Sequence, residues 1–181
     1  MKAKIFLCAL TALLMTSLQT MAQNNNQRVL IAYFSATGTT AQAAEKLSEI
    51  TGGTLYAITP ERPYTSADLN WHDKQSRSSV EMNDPKSRPA LATGKALNTA
   101  DYDVVFIGFP IWWDLAPRVI NTFIESHDLK GKTVVPFATS GGSSLNNSAK
   151  QLKADYPELN WAEGKLLNNL NDAAIRQWAA Q

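Results

Sequence analysis

The chain has 181 residues, 17 Lys and Arg against 16 Asp and Glu, and one cysteine. That length supports one domain around one core. A formal charge of +1, with no basic stripe, argues against a nucleic-acid partner. A lone cysteine excludes an intrachain disulfide framework, so the fold must rest on buried apolar surface.

The first 22 residues differ from the rest. Met1-Lys2-Ala3-Lys4 is a basic start, Ile5 to Met15 is mostly apolar, and Thr20-Met21-Ala22 sets small residues before Gln23. This is the layout of a cleavable secretory signal over residues 1–22, and it predicts export to a bacterial periplasm. A buried N-terminal helix or an uncleaved anchor is the alternative. The apolar stretch falls short of the ~20 residues a membrane span needs, so no stable span is expected in the mature chain. Cleavage would remove Cys8, and the loss of Lys2 and Lys4 would take the formal charge from +1 to −1. Residues 23–27 form a polar lead-in, expected to be disordered, and a single domain is expected over 28–181.

Arg28 to Phe34 is an almost continuous apolar run with β-branched members, which suits a strand buried on both faces. A hydroxyl-rich turn, Ser35-Ala36-Thr37-Gly38-Thr39-Thr40, follows at once. Ala43, Ala44, Leu47 and Ile50 then recur at helical spacing over 39–51, and Gly52-Gly53 stops that helix. Thr54 to Thr59 reads as the second strand. Residues 60–100 break the rhythm with Pro60, Pro63, Pro85 and Pro89. Here Ser66 is expected to cap a helix running to about Met82, within an elaborated crossover; a low-complexity linker is the alternative.

Asp103 to Phe109 reads as a central third strand, Pro110 to Pro117 as a loop, and Arg118 to Ser126 as a helix with Val119, Ile120, Phe123 and Ile124 inward. Thr133 to Ala138 is the fourth strand, Thr139 to Asn147 a Gly/Ser/Asn loop, and Ser148 to Tyr156 a helix ended by Pro157. A short fifth strand is expected over 162–167. Asn171 or Asp172 is expected to cap a last helix through Trp178.

Alternating strands and helices predict an open, mostly parallel α/β sheet with helices on both faces. Ligands of such sheets bind beyond the carboxyl ends of the strands. Three loops fall there: 35–40, 110–117 and 139–147. The first joins four hydroxyls and a glycine to a helix start, where unpaired N–H groups and the helix dipole favour an anion. It contains no Lys or Arg and matches neither G-x-x-x-x-G-K-[ST] nor G-x-G-x-x-G. A phosphomonoester held by neutral donors is the expected guest.

Three segments together resemble the flavodoxins: Tyr33-Phe34-Ser35-Ala36-Thr37-Gly38-Thr39-Thr40, Gly108-Phe109-Pro110-Ile111-Trp112-Trp113, and Thr139-Ser140-Gly141-Gly142-Ser143. More narrowly they resemble a flavodoxin-like branch of exported bacterial proteins. The resemblance implies a three-layer flavodoxin-like fold with a five-stranded parallel sheet ordered 2-1-3-4-5. It also implies non-covalent FMN and electron transfer through it, to a redox partner protein or a quinone-like small molecule. On that resemblance Ser35, Ala36, Thr37, Gly38, Thr39 and Thr40 hold the FMN phosphate. Pro110, Ile111, Trp112 and Trp113 line the flavin ring, one indole facing it and the other packing on the protein. Thr139, Ser140, Gly141, Gly142 and Ser143 approach its pyrimidine side with backbone donors. No side chain is assigned as catalytic and no metal is expected.

The chain departs from the branch's pattern where glycines are expected and Asp114, Ser144 and Asn146 stand instead. These departures support a reading of another class, a non-redox phosphate-ligand binding module. An FMN-dependent quinone-type reductase is the other alternative to a carrier. A near-neutral surface argues against a simple low-potential carrier, and the 60–90 insert, with Tyr64, Trp71 and His72, is expected to cover the flavin and form a substrate or partner surface. Tyr64 is expected to pack a turn, His72 to sit in solvent, and His127 to lie at the surface.

Overall fold

A computed structural model describes residues 27–94, 96–168 and 171–180. The expected signal segment and residues 23–26 lie outside the described residues. The elements run β1 (Val29–Tyr33), α1 (Thr39–Thr51), β2 (Thr54–Ala57), α2 (Arg77–Asn83), a short 3-10 turn (Thr99–Asp101), β3 (Val104–Pro110), α3 (Arg118–Ser126), β4 (Thr133–Thr139), α4 (Asn146–Asp155), β5 (Asn160–Trp161), β6 (Lys165–Leu166) and α5 (Asp172–Ala179). The sheet is parallel with order β2-β1-β3-β4-β5, and β6 also pairs with β4.

Strand periodicity divides the core into two layers, because successive side chains point to opposite faces. Leu30, Ala32, Val105, Ile107 and Phe109 face Val119, Ile120 and Phe123 of α3 and Leu152 of α4. Ile31, Phe106, Val135 and Phe137 face Ala44 and Leu47 of α1 and Ile175 and Trp178 of α5. Among the described residues no helix is long and apolar enough to cross a membrane.

The structure departs from the sequence expectations in three places. Ser66 does not cap a helix to Met82; that stretch is a series of turns, and α2 begins after Ser76, whose side chain accepts the Ser79 N–H. Local polar side chains compete with the helix. Asp68 accepts from the Thr65 N–H at 2.9 Å, Asn70 from the His72 N–H at 3.2 Å, and Asp73 from the Gln75 N–H at 2.8 Å.

The fifth strand does not run over 162–167: two short strands take its place, β5 at Asn160–Trp161 and β6 at Lys165–Leu166. The cause lies in the neighbouring strand. The carbonyls of Val134 and Ala138 accept from the Ala162 and Leu167 N–H groups, so Pro136 between them turns toward the same edge with no N–H to offer. Gly164 passes this gap so closely that a Cβ there would lie 2.6 Å from the Pro136 carbonyl. His127, finally, is half-buried: its Nδ1 lies 2.8 Å from the Phe123 carbonyl at the end of α3, and its ring lies against Phe123.

The insert is bound to the body at several points. The Arg118 guanidinium, almost wholly buried, donates to the carbonyls of Glu81 and Met82 at the end of α2, and burial pushes its pKa down. Arg88 forks onto Glu125 of α3, which also accepts from the Tyr156 hydroxyl.

Candidate functional site

The three turns leave the carboxyl ends of β1, β3 and β4 and are tied to one another there. The Thr40 and Thr139 hydroxyls meet at 2.8 Å in a buried hydrogen bond across 99 residues of chain. The Ile111 N–H donates to the Thr139 carbonyl at 2.9 Å. One bond therefore joins the first turn to the third, and another joins the second to the third.

In the first turn Gly38 has a φ of 95°, a left-handed conformation that a side chain would strain. Its N–H donates to the Ser35 Oγ at 3.1 Å, and it stands at the N-cap of α1 without contributing a side-chain cap. Among the described residues no group engages the N–H of Thr39, Thr40 or Ala41. They therefore stay available at the positive end of the helix. Thr37 and Thr39 are exposed, whereas the Thr40 hydroxyl is occupied by Thr139.

The second turn is a two-residue reversal. The Trp112 N–H donates to the Leu115 carbonyl at 3.0 Å and the Leu115 N–H to the Trp112 carbonyl at 2.9 Å. Trp113 and Asp114 between them have φ of 47° and 62°, the signature of a type I′ turn normally filled by Asn-Gly. A bulky residue in this region costs about 1–2 kcal/mol, and such outliers gather at functional sites. The fully buried Ser148 hydroxyl of α4 donates to the Asp114 carbonyl at 2.8 Å and helps hold the turn. Asp114 thus sits where a glycine was expected, in a conformation Asp tolerates better than most residues. Ser144 and Asn146 have no positive φ, so those positions make no demand for glycine.

The two indoles have separate roles. Trp112 packs edge-on against Phe34 and Tyr64, with ring centroids 5.6 Å and 5.2 Å away. Trp113 is 45% exposed. Tyr64 is a packing residue: it donates its hydroxyl to Glu81 and lies under the Arg77 guanidinium at 4.0 Å. Burial, then that carboxylate, pushes its phenol well above the ordinary range. His72 is exposed and stacks on Trp71.

In the third turn the Ser140 Oγ accepts from the N–H groups of Gly142 and Ser143 at 3.1 and 2.8 Å. Asn168, just beyond β6, accepts the Ser140 N–H at 2.8 Å and donates back to the Ser140 carbonyl. Gly141 and Gly142 are exposed, with open space where a Cβ would stand. Among the described residues only the Gly141 N–H of the 140–143 stretch has its partner still to find.

A cleft of about 390 Å³ opens beside the first two turns, lined by Ala36, Thr37 and the 110–113 segment. Its far wall is the insert, through Leu69, Trp71 and Ser78. Residues 139–143 do not line it; they meet the other two turns only at the rim. Nothing in the sequence marks Ser148, Asn168, Leu69 or Ser78 as part of the site. The two anchors act on turns 34 and 28 residues away, and no local pattern marks such a pairing.

A sheet of this order with three such turns at its carboxyl rim defines a flavodoxin-like protein. The flavodoxin family model matches residues 28–181, and the chain belongs to that family. A candidate flavoprotein from Bacteroides eggerthii is 68% identical, with 86% of this chain and 97% of that chain covered and a TM-score of 0.83. Its counterpart from Bacteroides uniformis is 58% identical, with 86% and 99% covered and a TM-score of 0.82. A flavoprotein from Lactobacillus acidophilus, solved in complex with FMN, is 21% identical, with 84% and 99% covered and a TM-score of 0.67. No curated protein is similar enough to this chain to match it.

Proposed function

We propose that the chain binds FMN without a covalent bond and passes electrons through it. The observation that carries this reading is the tie between turns: the Thr40–Thr139 and Ile111–Thr139 bonds bring a phosphate-type cradle, an aromatic turn and a glycine turn to one rim. The donors present fit the nucleotide. The Ser35, Thr37 and Thr39 hydroxyls and the open N–H groups at the start of α1 suit a phosphate. The exposed face of Trp113 suits a planar ring, and the Gly141 N–H suits its pyrimidine edge, where donors favour the reduced, negatively charged form. FMN supplies the redox chemistry when bound; the protein supplies binding, stacking and tuning of the potential. The family match and the FMN complex of the Lactobacillus protein add to this reading.

Asp114, Ser144 and Asn146 stand in backbone conformations open to them, so on backbone grounds these departures from the family pattern are compatible with the FMN reading. A signal at residues 1–22 would place the protein outside the cytoplasmic membrane. NAD(P)H is not expected there, so the donor would be a protein or a quinol.

The test is a visible spectrum of the purified protein supplied with FMN, followed by reductive titration with dithionite. Bound flavin absorbing near ~450 nm and bleaching on reduction is the expected result. A protein that leaves the spectrum of free FMN unchanged would refute the proposal. In the same titration Asp114→Asn is expected to raise the second reduction potential, since it removes a negative charge beside the ring, and the rise should shrink with salt.

A further inference from the structure

We infer that the insert supplies one direct contact to the flavin: the Ser78 hydroxyl, hydrogen-bonded to the central ring nitrogen, N5. The inference deepens the FMN reading and rests on it. Ser78 is 2% exposed and lines the cleft from α2. A buried hydroxyl needs partners, and its neighbours are already engaged. The Ser76 Oγ donates to the Ser79 Oγ at 2.9 Å and accepts the Ser79 N–H at 3.3 Å. The Ser79 Oγ donates to the Asp73 carbonyl at 2.7 Å. What remains for the Ser78 Oγ is the Ser76 Oγ at 3.5 Å, at the outer edge of hydrogen-bonding distance. With the Ser76 proton committed to Ser79, Ser78 can only donate into that long contact, and among the described residues no group donates to its oxygen.

The hydroxyl is also held in place. The Ser78 N–H donates to the Asp68 carbonyl at 2.9 Å. At the other end of α2, Arg118 holds the carbonyls of Glu81 and Met82, while the Glu81 carboxylate accepts from Arg77 and Tyr64. A donor fixed in advance binds with little further loss of freedom. The cleft then narrows the choice of ring atom. Among the described residues its polar side chains are the hydroxyls of Thr37 and Ser78, and no charged side chain lines it. Thr37 belongs to the phosphate turn, and the donor for the pyrimidine edge, Gly141, lies in a turn outside the cleft. The middle of the ring is left to the insert. There N5 accepts a hydrogen bond when the ring is oxidised and carries a proton when it is reduced. A hydroxyl serves both states by rotating about its Cβ–Oγ bond, because it donates and accepts; a backbone N–H can only donate.

The test is a cycle of two proteins and two ligands, read by binding. Wild type and Ser78→Ala are each titrated calorimetrically with FMN and with 5-deaza-FMN, in which C–H replaces N5. The substitution should weaken FMN about tenfold, the size of one neutral hydrogen bond. It should weaken 5-deaza-FMN less than twofold, because the ligand has already lost the partner atom. Ser78→Cys, which keeps a similar volume with a weak donor, should follow Ser78→Ala. The urea midpoint of the apoprotein should stay where it is in both variants, since the hydroxyl holds nothing firmly there. Equal losses with the two ligands would make Ser78 a support of the wall, and no loss with either would leave it without a part in binding; each result overturns the inference. A loss seen in the apoprotein's urea midpoint instead of in the cycle overturns it too. Failure of wild type to bind FMN would strike the preceding proposal and this one with it, and it shows before any substitution is made. Wild type that binds FMN, with Ser78→Ala unchanged, strikes this inference alone.

Discussion

At the scale of single residues, the site depends on hydroxyls that never need to touch a ligand. The Thr40–Thr139 pair is buried at both ends and joins turns that are far apart in sequence. Replacing one partner by its isostere strands the other in a site closed to water, which costs about 1–3 kcal/mol. Replacing both removes the need for the bond. Thr40→Val and Thr139→Val should therefore each destabilise the fold in urea titrations, and the double variant should lie closer to wild type than the sum of the two. Additive losses would mean that the hydroxyls act separately. Much of the cradle was legible from residues alone, since Ser35 to Thr40 declare their donors in consecutive positions. Its supports were not. Ser148 and Asn168 are ordinary polar residues whose partners, the Asp114 carbonyl and the Ser140 backbone, become neighbours only through the fold.

At the scale of elements, legibility follows how locally each boundary is set. Helix α1 begins and ends where the residues indicate, between Gly38 and Gly52, both in the left-handed region. Helix α3 likewise starts after Pro117. The helix expected from Ser66 failed because Asp68, Asn70 and Asp73 bond their own backbone neighbours. The split of the last strand is set by Pro136 in β4, which no reading of 160–167 could reveal. Strand β3 carries another nonlocal constraint. Gly108 pairs with Phe137 across the sheet, and a Cβ on it would lie 2.1 Å from that ring's Cζ. The ring is fully buried and has little room to turn. Gly108→Ala is therefore expected to cost about 3 kcal/mol, which lowers Tm by roughly 6–12 °C in a domain of this size. A shift under about 2 °C would show that Phe137 can move aside. The Gly108 carbonyl also accepts the Phe34 N–H, so the same variant should disturb the start of the phosphate turn.

At the scale of the whole molecule, ion pairs and buried phenols bound the pH range of stability. The Glu125 carboxyl is held below its ordinary range by the Arg88 fork and then by the Tyr156 hydroxyl, against the opposing effect of burial. Asp68, Asp103 and Asp172 are held low by hydrogen bonds from Thr65, Arg28 and Lys46. Carboxyls with a lowered folded pKa stabilise above the unfolded value, near ~4, and that support is lost as pH falls through the folded values. Tyr156 runs the other way: burial pushes its phenol up to about 12, so its contribution is full below about pH 10 and lost as pH climbs toward 12. Urea midpoints should be flat between about pH 5 and 9 and fall on both sides. A midpoint that holds steady down to pH 3 would contradict the acid arm.

The three turns, the strands that carry them and the sheet order converge on one claim: the first turn is built for a phosphate and the rim for a flavin. The most direct measurement is a calorimetric titration of the same protein with FMN and with riboflavin, which differ only by the phosphate. The account predicts that FMN binds at least a hundredfold more tightly, a difference of about 2.7 kcal/mol, and that Thr37→Val narrows the gap. Equal affinity for the two, or binding of neither, would contradict it.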